Sequence, residues 1–138
     1  MHIPQVNYLA VLVAGIVIFI LGGLWYSPVL FAKKWMSLMG KTEEELKAAS
    51  GSMPLAYLSV FVCGLLTSFA LAVIVNHFTE LTAIRGAEVG VLCWLGFAGA
   101  TSYGSGLFSM QPKLLWLINS GYNLVSFVIA SVILAVWR

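Results

Sequence analysis

Four stretches of this chain run without Lys, Arg, Asp or Glu for long enough to cross a bilayer, and nothing else in the sequence constrains the fold as strongly. They are Tyr8–Tyr26, Pro54–Val75, Val89–Phe108 and Leu114–Trp137. A hydrocarbon core takes about 20 mostly apolar residues in a helix. Lipid offers backbone groups no hydrogen-bond partner, so each stretch is expected to bond within itself, as a helix. Strands of a membrane barrel would be shorter and would alternate polar with apolar residues, which these do not. The first stretch lacks the basic leader and small-x-small cleavage site of a signal peptide. Only 9% of the 138 residues are charged and 61% are hydrophobic, against roughly a quarter charged in soluble domains. Such a chain cannot clothe a water-facing surface. The expected fold is all-α: an integral membrane four-helix bundle forming a single transmembrane domain over 1–138. Its spans are expected at about 8–26, 54–75, 87–108 and 114–137, with a connector over 27–53.

The lysines set the orientation. Lys33, Lys34, Lys41, Lys47 and Lys113 fall on one side of the spans, and Arg85 and Arg138 on the other. Basic residues stay in the cytoplasm, so both termini are expected outside, in a bacterial inner (cytoplasmic) membrane. The net charge of +2 is small and its basic residues are scattered, which excludes nucleic acid as a natural partner. Cys63 and Cys93 both lie in apolar runs and read as small hydrophobes.

The first span stops at "WYSP". Pro28 cannot continue the helical ladder and restricts Ser27. Beyond it, Phe31, Trp35, Leu38 and Met39 share one helical face while Lys33, Lys34, Ser37 and Lys41 share the other. That pattern predicts a short amphipathic helix in the headgroup plane, its lysines reaching toward anionic lipid at the cytoplasmic face. Trp25, Tyr26, Pro28, Lys33, Lys34 and Trp35 are the expected interfacial anchors, and Gly40 the C-terminal cap. Thr42 and Glu45 then form a capping-box pair, and Glu43 with Lys47 an i,i+4 pair. The segment reads as a solvated connector or as a docking surface for a partner.

Small residues crowd the third span: Gly90, Gly96, Gly99, Ala100 and Gly104. Such spacing lets helices approach closely, so this span is expected at the centre of the bundle, at a subunit interface, or along a narrow path. The fourth span carries Asn119, Tyr122, Asn123 and Ser126. An unpaired amide in hydrocarbon costs several kcal/mol, so that face is expected to point inward. It serves either as a hydrogen-bond clamp between helices or as the lining of a path, with Thr67, Ser68, Thr101 and Ser102 as its expected partners. Arg85 and Glu88 lie one turn apart and read as an ion pair. Were Glu88 turned inward, it would be the proton-binding group. His2 and His77 match no metal-ligand spacing, and no metal or other cofactor is expected. No nucleophile elbow, phosphate loop or HExxH occurs, which argues against an enzyme.

The segments "NYLAVLVAG", "LGGLWYSPVLFAKKWMSLMG", "TEEEL", "LCWLGF" and "LINSGYNLV", with the closing "WR", resemble the bacterial membrane family called domain of unknown function 1761, over Asn7 to Arg138. The resemblance implies four spans and an inner-membrane location, and carries no activity. The residues themselves suggest a self-associating protein with a transporter- or channel-like role for a small solute or ion. The alternative is a non-transporting accessory or scaffold protein that binds lipid or a partner protein.

Overall fold

A computed structural model describes residues 2–49, 51 and 53–138. It is helical over 79% of its length, with no strand among the described residues. The elements are α1 (Tyr8–Trp25), α2 (Ala32–Met39), α3 (Glu43–Ala49), α4 (Met53–Val75), α5 (Ala83–Cys93), α6 (Ala100–Phe108) and α7 (Lys113–Val136). A π-helical stretch, Trp94–Gly99, joins α5 to α6 without a break. The four long apolar helices are therefore α1, α4, the continuous span Ala83–Phe108, and α7. The third begins four residues before its expected start because Thr82 caps it: the Thr82 hydroxyl accepts the Arg85 amide at 3.1 Å. Asn7 does the same for α1, accepting the amides of Leu9 and Ala10.

The spans form two antiparallel hairpins, and both cross on glycine. In the α1–α4 pair, a Cβ on Gly15 would lie 2.6 Å from Leu65 Cδ2 and one on Gly64 would lie 3.4 Å from the Gly15 carbonyl. Ser68, fully buried one turn on, donates to the Val11 carbonyl at 2.8 Å. In the α5–α7 pair, a Cβ on Gly86 would lie 2.7 Å from the Ser131 carbonyl, and one on Gly90 2.7 Å from the Phe127 carbonyl. Small residues take these positions because lipid supplies no hydrophobic drive, so helices associate through close contact and interhelical bonds. Leu9, Leu12, Ile16, Ile20 and Leu24 repeat every three or four residues along the opposite, exposed face of α1, as a lipid-facing stripe should.

Burial is uneven along the bundle axis. The buried residues of α1 run from Ala10 to Ile18 and those of α4 from Gly64 to Val75. Those of α5 run from Gly86 to Cys93. All lie toward the end that carries the chain termini. There Asn76 donates to the Gln5 carbonyl and Arg138 to that of Thr79. At the lysine-bearing end, α4 buries nothing between Met53 and Cys63. Only α7 is buried along its whole length, from Leu115 to Ala135.

The π-helical stretch corrects one reading of the sequence. Gly86, Gly90 and Cys93 face α7. At 3.6 residues per turn that face would continue through Phe97, Ala100 and Gly104. The wider turn absorbs one extra residue and rotates the remainder of the span by roughly 100°. Gly99 and Gly106 are the buried positions instead, while Phe97 and Ala100 are exposed and a Cβ on Gly96 or Gly104 would meet nothing within 4 Å. Within one chain, Gly96, Ala100 and Gly104 therefore take no part in helix packing, whereas Gly90 does. Gly99 lies beneath the chain's own Trp94 ring, 3.0 Å from Cζ2 to where its Cβ would be.

The connector is shaped by the local chemistry of its residues. Ser27 caps the end of α1 through the Leu24 carbonyl, and Pro28 sits in the turn closed by Leu30 N–H to Ser27 O at 3.0 Å. Gly40 closes α2 in the left-handed region at φ 66°. Thr42 accepts the Glu45 amide at 3.1 Å, and Lys47 pairs with Glu43 at 3.1 Å.

Candidate functional site

The polar residues of α7 are met by aromatic side chains from the lysine-bearing end of the other spans. Tyr26 donates to Asn119 Oδ1 at 2.7 Å. Trp25 donates its indole N–H to the Ile118 carbonyl at 2.9 Å, and Trp94 donates to that of Ser120 at the same distance. In the reverse direction, Tyr122 donates to the Ile18 carbonyl of α1 at 2.9 Å. Four hydrogen bonds thus tie two consecutive turns of α7 to α1 and to the π-helical stretch. Glycine makes room for the rings: a Cβ on Gly22 would lie 3.0 Å from the Tyr122 hydroxyl, and one on Gly121 3.3 Å from the Trp25 ring.

Ring contacts extend the cluster to the surface. Tyr122 packs edge-on to Tyr26 at 5.7 Å between centroids, Tyr26 packs on Trp35 of α2 at 5.6 Å, and Trp25 packs on Phe31 at 5.0 Å. Trp25 and Tyr26, expected as anchors in the headgroup layer, are thus half-buried against α7. Their N–H and O–H groups find backbone and amide oxygens inside the protein, which serve in lipid where water is scarce. Lys33 and Lys34 remain exposed, and Pro28 is exposed in its turn.

The other expected members do not converge on this face. Thr67 bonds the Cys63 carbonyl and Thr101 the Phe97 carbonyl, each within its own helix. Ser68 is committed to Val11, and Ser102 accepts the Trp116 indole N–H at 3.0 Å. Glu88 lies exposed at the terminal end, 2.9 Å from Arg85, so it is not the inward-facing proton group. Asn123 is half-buried and its amide makes no hydrogen bond among the described residues, while the hydroxyls of Ser120, Ser126 and Ser131 are buried without a partner. No cluster of three His, Cys, Asp or Glu side chains able to hold a metal occurs among the described residues. His77 Nδ1 lies 2.7 Å from its own helix's Val73 carbonyl.

Sequence reasoning missed the Gly15–Gly64 crossing and the inward turn of Trp25, Tyr26 and Trp94. The first had a signal, since Gly64 and Ser68 stand four apart with a glycine in the facing helix. The second had none, because tryptophan and tyrosine at a span end look the same whether they face lipid or protein.

The model of a family described as protein of unknown function (DUF1761) matches residues 9–135. No curated protein and no solved structure matches the chain.

Proposed function

This chain belongs to the DUF1761 family, and from that premise we propose that it is a non-enzymatic accessory protein of the membrane, one that acts by binding lipid or another membrane protein rather than by passing a solute. The observation that carries this reading is the hydrogen bond from Tyr26 to Asn119. The polar face that would have to line a path is closed onto α1 by side chains of the same chain. The one acid near a span, Glu88, is held at the surface by Arg85. Gly96, Ala100 and Gly104 are turned outward, and small residues on an outward face let a second span approach closely, so self-association is part of the proposal. The lysine distribution supports a bacterial inner membrane location with both termini outside.

One observation favours transport as a second reading: Asn123, about 15 Å along α7 from Lys113, carries an unbonded amide near mid-membrane. Proton and potassium flux into liposomes carrying the purified protein separates the two. The accessory reading expects no flux above empty liposomes. A flux that disappears in Asn123→Leu would overturn it.

A further inference from the structure

The face of α2 turned away from the bundle has no part in the packing of the spans. Ala32 is buried, and Trp35 and Met36 are half-buried against the protein, while Lys33, Lys34 and Ser37 point outward. Lys33 and Lys34 form no ion pair among the described residues, and no acid lies in the first turn of α2. Apolar side chains stand open on either side of this basic pair. Val29 is 82% exposed, and Leu30 and Met39 are also exposed. A free anion would use the lysines and ignore the apolar flank. A ligand with an anionic head and hydrocarbon tails satisfies both.

We propose that α2 is a docking face for an anionic phospholipid, with the headgroup phosphate on Lys33 and Lys34 and the acyl chains along Val29, Leu30 and Met39. Occupancy reaches the bundle interior, because the opposite face of the same helix packs Trp35 on Tyr26, and Tyr26 holds Asn119 of α7. Drawing α2 into the headgroup layer therefore steadies the first turns of α7. The inference is independent of whether a solute crosses the bundle, which the flux assay decides separately.

The experiment uses the full chain in nanodiscs of phosphatidylcholine alone or with phosphatidylglycerol. Native mass spectrometry counts retained lipid, and amide exchange reports on residues 113–122. The wild type is expected to retain phosphatidylglycerol in preference to phosphatidylcholine and to exchange more slowly over 113–122 when it is present. Lys33→Gln with Lys34→Gln is expected to lower that preference roughly 30-fold, the factor carried by two lysines against an anionic surface. Lys113→Gln serves as the control and is expected to leave the preference largely intact. Tyr26→Phe is expected to keep the lipid while losing the slowed exchange. Equal retention of the two lipids by the wild type overturns the proposal, as does an undiminished preference in the double lysine variant. Slowed exchange produced by inorganic phosphate in phosphatidylcholine discs also overturns it, since that marks a site for the free anion.

Discussion

Replacing Gly90 with alanine tests the α5–α7 crossing with the smallest available change. The added Cβ would stand 2.7 Å from the Phe127 carbonyl oxygen and 2.8 Å from Val128 Cα. Both are backbone atoms in the middle of a helix, so neither can swing away as a side-chain tip would. Ordinary contact begins near 3.4 Å, so the two helices must separate by roughly 0.7 Å there. A radial gap of 0.5–1 Å forfeits about a quarter to a half of each contact's dispersion energy, and overpacking of this kind costs about 1–3 kcal/mol. Alanine's better helix propensity returns at most about 1 kcal/mol. The net expectation is a loss of about 1–2 kcal/mol. Gly96→Ala and Gly104→Ala provide the internal standard, because a Cβ at either meets nothing within 4 Å and only the propensity gain remains. Unfolding of the three variants in one detergent, titrated with dodecyl sulfate and followed by circular dichroism, makes the comparison. Gly90→Ala as stable as Gly96→Ala would refute the close crossing. Adding Gly86→Ala should cost less than the sum of the two single changes, because one displacement relieves both clashes.

Tyr26→Phe removes one hydroxyl and leaves Asn119 without its donor; interhelical bonds in lipid are worth about 0.6 kcal/mol, with a ceiling near 1.7, and the same titration should show a loss in that range. Asn123→Leu discards an amide with no partner, so the variant should unfold later than wild type, and an earlier transition would mean that the amide is bonded. Met110, 89% exposed, takes φ 53° where α6 ends; Met110→Gly removes a left-handed penalty of about 1 kcal/mol, and its midpoint should rise.

The spans were legible because their signal is thermodynamic and local. Twenty charge-free residues in lipid have no alternative to a helix, whatever they pack against. The connector was legible for a similar reason: Pro28, Gly40 and Thr42 act within a few residues of themselves. The site was less so. Asn119 and Asn123 share a face one turn apart, yet one is bonded and the other is not, because only Asn119 lies level with the end of α1 where Tyr26 leaves the helix. That match depends on the length and tilt of two helices 93 residues apart. Thr101 and Ser102 were expected to turn toward this face, but a hydroxyl in a helix can satisfy itself on its own backbone, and Thr101 does so.

The π-helical stretch links the two ends of the molecule. Above it, glycines hold α5 so close to α7 that no side chain fits between them. Below it, Trp94 needs space for its ring and finds a hydrogen bond at the Ser120 carbonyl. A regular helix would have to satisfy both with one face. Inserting one residue lets Gly90 meet α7 by backbone and Trp94 meet it by side chain, and the rotation that results turns Ala100 and Gly104 outward. The same device explains why packing is tight where the termini lie and aromatic where the lysines lie. Backbone contact tolerates little change in helix spacing, whereas rings and side-chain hydrogen bonds can adjust to a shift at their outer end. Movement of α2, coupled by Trp35 and Tyr26, would then be absorbed in the aromatic half of α7 and stop at the glycine crossing.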